Sequence, residues 1–319
     1  MKVDVVGIDY PPMDLFAQIE RLPRTDEAIM MKDHCWQGGG NVCTAIAALG
    51  RFGVKAGMIG VVGRDAFGRF CIDDFKRHGV DTSQMVVDGN GTTTLCLCLA
   101  ERTTRGRSFI ISRGTRRDLT LEDLDRDYIA SARFIHLVRT DAVSIRACEW
   151  ARESGTKVAI DAGSYDRCPE EHLKHIDVFI ASEFYYKAVF DDLNYRDNCR
   201  RIQEKGPEVV VFTLGHKGSV VLYGDTYFEM PAFNNVDIVD TTGAGDVFHG
   251  AFIYGMLQGW KPEKTARFAT AVSSIKCTRL GGRAGIPDVA TVERFLKDGF
   301  IDYTEIDKRC EFYQNIFSE

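Results

Sequence analysis

The chain has 319 residues, 45% hydrophobic, 27% charged and 11% aromatic, with 40 Lys and Arg against 46 Asp and Glu for a net charge of −6. At roughly 150 residues per domain, this length fits two ordinary domains or one large α/β body whose core needs no disulfide or metal. The acidic balance argues against a nucleic-acid partner and leaves room for a local basic pocket.

No uninterrupted apolar run approaches the ~18 residues of a membrane span. The start, Met1 to Gly7, carries an acid inside its apolar stretch and lacks a signal-peptide layout. A cytoplasmic protein without a membrane partner is expected. Ten cysteines are spread along the chain with no Cys-x-x-Cys pair. They read as reduced, buried packing residues.

In chain order, Val3–Gly7 predicts a buried parallel strand. Residues from about 11 to 37 hold no clear helix. Gly38-Gly39-Gly40 then opens a helix with a small apolar face, on which Asn41 and Thr44 lie one turn apart. Phe67, Phe70, Cys71, Asp74 and Phe75 follow helical spacing, interrupted by one acid. From about 88 to 112 the pattern alternates around Glu101–Gly106, a hairpin signal, with Cys96 and Cys98 on one face. Compact runs at Phe134–Val138, Lys157–Ile160, Val178–Ile180 and Val209–Phe212 predict further parallel strands. Val236–Val239 reads as a last strand, followed by helices beginning near 244 and 263. The alternation predicts an α/β/α sandwich on a mostly parallel sheet, with 11–37 and 88–112 forming a small inserted β-lid. The 299–319 tail has no assigned role.

The strongest chemical signal is Asp240-Thr241-Thr242-Gly243-Ala244-Gly245-Asp246 at the start of an apolar helix. Glycines permit close approach, and the unpaired amides at a helix start make an anion cradle. An acid beside such a cradle suits phosphoryl transfer. It takes the proton of an attacking hydroxyl while amides absorb the charge of the moving group. Thr242 as an N-cap and Asp246 as a dipole-favoured acid is the plainer alternative. No P-loop sequence occurs, and Phe248 stands where a dinucleotide fingerprint needs a small residue. Thr213-Leu214-Gly215-His216-Lys217-Gly218 follows a strand, at the end where open α/β sheets bind ligands.

These residues resemble the ribokinase-like (PfkB) family of carbohydrate kinases over residues 1–298, through the glycine turn at 38–53 and the 240–246 motif. Stretches 236–252 and 276–288 are similar to sulfofructose kinases, and 36–85 to ketohexokinase. The resemblance implies ATP-dependent phosphorylation of a small sugar, with Mg2+ carried by the nucleotide and a potassium requirement left open. Asp246 falls on the catalytic base, and Gly243, Ala244 and Gly245 on the anion hole. Asp14, Gly39, Gly40, Asn41 and Thr44 fall on the sugar side; Thr44 replaces the family's asparagine. Thr213, Gly215 and Gly218 fall on the nucleotide turn, and Gly282 in the loop beside the adenine. A homodimer built through the lid is also implied. The family's metal-linked Asn-x-x-Glu appears as Ser182-Glu183-Phe184-Tyr185, so metal ligands are unassigned.

Arg139 follows the 134–138 strand, and Arg113, Arg116 and Arg117 follow the lid hairpin. Guanidinium groups suit a carboxylate, sulfonate or phosphate better than a neutral sugar. Arg113 and Arg139 therefore join the substrate candidates, and an anionic ketose is the expected substrate. A neutral ketohexose or a nucleoside is the alternative, and a non-catalytic sensor a further one.

Overall fold

Val5 and Val6 are both fully buried and sit in opposite layers of the core. A strand can do this only when both sheet faces are covered, as the continuous apolar run predicts. The computed structural model describes residues 2–104, 106–163 and 167–317. In it, β1 (Val5–Ile8) lies within a nine-stranded sheet. On one side of β1 are β4 (Ala56–Gly63) and the edge strand β5 (Met85–Asp88). On the other are β8 (Phe134–Leu137), β9 (Lys157–Ala162), β10 (Val178–Ser182) and β11 (Val209–Thr213), all parallel. The antiparallel strands β12 (Ser219–Tyr223) and β13 (Thr226–Met230) close that end.

One layer holds α1 (Asn41–Arg51), α7 (Ala244–Leu257), α8 (Pro262–Lys276) and α9 (Val289–Asp298). The opposite layer holds α3 (Arg126–Ser131), α4 (Ala142–Ser154), α5 (Glu183–Val189) and α6 (Tyr195–Gln203). Gly250 of α7 meets α1 where an added Cβ would stand 2.5 Å from the Ala45 carbonyl oxygen. That contact brings the two helices together as only glycine allows.

The two interrupting segments form a separate four-stranded sheet. It comprises β2 (Met13–Ile19), β3 (Asp33–Gly38), β6 (Leu95–Glu101) and β7 (Arg107–Ser112), in the order β3-β2-β6-β7. The 88–112 hairpin is present, with Leu95 opposite Ser112. Its first residue, Asp88, belongs to β5 of the large sheet. The helix predicted around 67–75 is α2 (Ala66–Arg77).

Val236–Val239 is not a strand. It is a loop, and the amides of Val239 and Asp240 both donate to the Cys277 carbonyl at 2.8 and 3.1 Å. A short apolar run alone does not choose between a strand and a covered loop. The tail is ordered as α10 (Thr304–Gln314), packed on β3, with Gln314 donating to Asp33 and Phe317 edge-on to Trp36. Nine of the ten thiols are buried, Cys310 is half-buried, and all are free. No helix is long and apolar enough to cross a membrane among the described residues.

Candidate functional site

The C-terminal ends of the parallel strands collect acids. Asp9 stands just past β1 and Asp161 near the end of β9, both buried. Gly40, the N-cap of α1, has no side chain to offer, and Asp9 takes over that task from across the sheet. Its Oδ2 accepts from the Val42 amide at 3.1 Å. Asn41 hydrogen-bonds Asp161. Burial raises both carboxyls above the ordinary aspartate value. Below them, His249 approaches Asp161 at 3.7 Å and stacks on His136 at 5.2 Å. Burial pushes both imidazoles down to about 3, so the pair is neutral.

The 240–246 loop is built by its own residues. Asp240 accepts from the Thr242 amide and hydroxyl, each at 2.8 Å, and from the Gly281 amide at 2.8 Å. Thr242 is thereby committed to Asp240, and the N-cap of α7 is Gly243, in the left-handed region at φ 78°. An added Cβ there would lie 2.8 Å from the Gly282 Cα. The buried Lys276 ammonium donates to the carbonyls of Asp240 and Thr242. Among the described residues, no acceptor faces the amides of Gly243, Gly245 or Asp246. Gly245 has open space where a side chain would be.

Asp246, half-buried in the first turn of α7, looks onto this loop. Loss of solvent around its carboxyl raises it well above the usual carboxylate range, and the Asp161 and Asp9 charges add to the rise. Arg107 and Lys276 oppose it. Arg107 reaches across from β7 of the small sheet and donates to the Thr241 hydroxyl at 3.0 Å. The small sheet thus touches the anion loop directly.

On the sugar side, Gly39 is covered by Asp14, whose Oδ2 would lie 2.1 Å from an added Cβ. Asp14 is buried, its carboxyl is raised well above the usual range by that burial, and its Oδ1 has no partner among the described residues. Thr44 lies close to Gly282. Gly282 is therefore set between Gly243 and the sugar-side helix. Thr213 ends β11. Gly215 (φ 59°) faces open space, and Gly218 (φ 101°) is pressed on the Met230 carbonyl. Ser182 caps α5, and Glu183 pairs with Lys187 and Lys217 at 3.1 and 3.5 Å.

The arginines divide. Arg113 is held by Asp118 at 2.8 Å on the exposed surface, and Arg117 pairs with Asp123 at 2.6 Å. Arg116 turns inward. Its guanidinium lies 4.1 Å over the Tyr10 ring and pairs with Asp118 at 3.3 Å, while its Nε has no partner among the described residues. Arg139 faces the same ring at 5.7 Å and lines a small pocket with Asp9, Tyr10 and Ser144.

Asp9, Asp161, Arg107 and Arg283 belong to this neighbourhood but are not among the sequence candidates. The first two stand at the ends of apolar strand runs, where an acid is itself a signal. Arg283 is fully buried. It donates to Asp74 at 2.7 Å and to the Gly39 carbonyl at 2.7 Å, while its backbone amide donates to Gln37. Asp74, the acid that interrupts the α2 pattern, accepts also from the Tyr313 hydroxyl at 2.6 Å. One buried ion pair thus ties α2, the glycine turn, the 278–286 loop and the tail together.

This geometry has counterparts. The profile of the pfkB family carbohydrate kinases matches residues 2–289. A ribokinase of Lactococcus lactis subsp. lactis is 26% identical over 305 residues, covering 93% of this chain and 97% of its own. A 5-dehydro-2-deoxygluconokinase of Geobacillus kaustophilus is 28% identical over 285 residues, covering 81% of this chain and 84% of its own. Among solved structures, Arabidopsis thaliana ribokinase complexed with ribose and ATP superposes with a TM-score of 0.80 at 25% identity, covering 93% of this chain and 99% of that one. The chain has the ribokinase-like fold and belongs to the pfkB family of carbohydrate kinases.

Proposed function

We propose that this kinase transfers the γ-phosphoryl group of ATP to a hydroxyl of a small ketose bearing an anionic group, with Asp246 as general base. The observation that carries the mechanism is the pairing of Asp246 with the free amides of Gly243, Gly245 and Asp246 at the start of α7. Bound ATP would supply the electrophilic phosphorus, and its Mg2+ would neutralise phosphate charge. Asp246 accepts the hydroxyl proton at its carboxylate. The amides donate to the oxygens of the moving group. The unpartnered Oδ1 of Asp14 is an acceptor for a sugar hydroxyl. Thr213 and the open Gly215 are the nucleotide side. Glu183 is engaged by two lysines and is not assigned to the metal.

Arg107 gives the small sheet a role as a lid: its guanidinium latches onto Thr241 and favours the ionised form of Asp246. Arg107→Ala removes that favourable charge, so the Asp246 pKa rises. The acid limb of kcat/KM against pH is expected to move to higher pH. An unmoved limb, or one moved down, would remove Arg107 from the site. The outer strand β7 exposes Phe109, Ile110 and Ile111, at 47, 61 and 66%. An exposed apolar edge of this kind fits a homodimer through the lid. Sedimentation is expected to give a dimer, and a monomer for Ile111→Glu. A wild-type monomer would end that reading.

Arg139 flanks Tyr10 and supports the anionic substrate, whereas Arg113 and Arg116 both pair with Asp118. The Geobacillus relative is named for a sugar acid, in keeping with such chemistry. Steady-state kinetics on neutral, carboxylated, sulfonated and phosphorylated ketoses test it. Arg139→Ala is expected to lose at least ~10-fold in kcat/KM on the anionic sugar, the scale of one charge-assisted contact, and little on neutral ones. Equal losses on all sugars, or a preference for neutral ones, would sink the anionic reading.

A further inference from the structure

Strands β2 and β6 run parallel with Asp14 opposite Cys96 and Phe16 opposite Cys98. The two-residue period of a strand then puts Asp14, Cys96 and Cys98 on one face of the lid sheet. All three are buried, at 8, 7 and 1% exposure. The two sulfurs are 3.5 Å apart, and one Asp14 oxygen lies with both sulfurs inside a 4.8 Å span. Asp14 Oδ1 has no partner among the described residues. A buried carboxylate oxygen left unpaired is costly, and that cost asks for a ligand.

Ordinary packing explains a single buried thiol; here two share one face and converge on a buried carboxylate that hydrogen-bonds Cys98 and keeps one oxygen unpaired. Zinc bonds of ~2.3 Å to sulfur and ~2.1 Å to oxygen in a tetrahedron set S···S at about 3.8 Å and S···O at about 3.6 Å. The three donors need only small adjustments to reach those separations. We infer that Cys96, Cys98 and Asp14 form a binding site for one soft divalent cation of the zinc class, with the fourth position left to water. Thiolate and carboxylate donors suit such an ion and disfavour Mg2+.

On binding, two S–metal bonds and one O–metal bond form, and the two thiol protons, with the carboxyl proton wherever Asp14 holds one, pass to solvent. Asp14 is also the acceptor proposed for a sugar hydroxyl. On that reading, an occupied site withdraws it from the substrate. The site itself does not depend on the reaction, and its test needs no sugar.

The reduced full-length protein is titrated with zinc chloride by calorimetry and with cobalt chloride by absorption. The expected results are one zinc per chain and a thiolate-to-cobalt charge-transfer band. Both are lost in the Cys96→Ser/Cys98→Ser variant, and zinc affinity is weakened in Asp14→Asn. Absence of stoichiometric zinc, or undiminished binding in the double cysteine variant, overturns the site. Should that variant not fold, the wild-type cobalt spectrum decides. A spectrum without the thiolate band overturns the proposal. Zinc inhibition of the kinase that vanishes in the same variant is the corroborating kinetic result.

Discussion

Asp246→Asn is expected to lower kcat by at least ~100-fold, the low end of what a positioned general base contributes. The amide keeps the shape and can still hydrogen-bond, but it does not take a proton at neutral pH. If the proton is taken only at the transition state, kcat and kcat/KM fall together. The fold is expected to survive, because among the described residues no hydrogen bond of the loop runs through the Asp246 side chain; the loop is held by Asp240 and Lys276. ATP affinity is expected to hold or tighten. The substitution removes one negative charge from a group of three carboxylates, Asp246, Asp161 and Asp9, that faces an anionic nucleotide. Turnover near the wild-type level, measured by coupled ADP release, would remove Asp246 from the reaction.

The largest expected stability effect is at Asp74. Asp74→Ala leaves the Arg283 guanidinium fully buried without its carboxylate and takes from the Tyr313 hydroxyl one of its two partners, the other being His78 at 2.9 Å. Breaking a buried pair in this way costs about 3–5 kcal/mol. The double replacement Asp74→Leu/Arg283→Met is expected to be closer to wild type than either single change, because no lone charge stays buried. In the native protein the Arg283 guanidinium and the Tyr313 hydrogen bond hold Asp74 below the ordinary aspartate value, against the effect of burial. A depressed folded value means that the stabilisation is fully present above the unfolded pKa of about 3.9. It is lost as pH falls through the folded value. Denaturant unfolding at pH 7 and again below pH 4 should therefore show the gap between wild type and Asp74→Ala narrowing in acid. A difference under ~1 kcal/mol at pH 7, within the range of an exposed ion pair, would mean that the pair does not hold the loops together.

The anion loop was legible in the sequence because its requirements are local. Glycines at 243 and 245, an acid at 246 and an apolar helix behind them are one continuous stretch. The shared face of Cys96 and Cys98 was legible for the same reason, as strand period alone decides it. Asp74 was visible only as an interruption. Its partner lies 209 residues away, and nothing in either segment names the other. The arginines failed differently. Arg113, Arg116 and Arg117 are equivalent in the sequence, and only the positions of Asp118, Asp123 and Tyr10 turn Arg116 inward. The 236–239 run has strand composition, but the Val239 and Asp240 amides at its end go to the Cys277 carbonyl instead of to a neighbouring strand. The tail showed aromatic and charged residues without a period. Tyr313 and Gln314 find their partners in α2 and β3, and Phe317 finds Trp36.

Phosphorus NMR of ATP with Mg2+, the enzyme and one sugar at a time tests the central claim most directly, because it sees where the γ-phosphoryl group goes. The γ signal is expected to fall as a sugar phosphate ester signal rises, with wild-type enzyme and an anionic ketose. Asp246→Asn should leave both signals unchanged over the same time. An ester formed equally well by Asp246→Asn, or only inorganic phosphate with every sugar, would contradict the account.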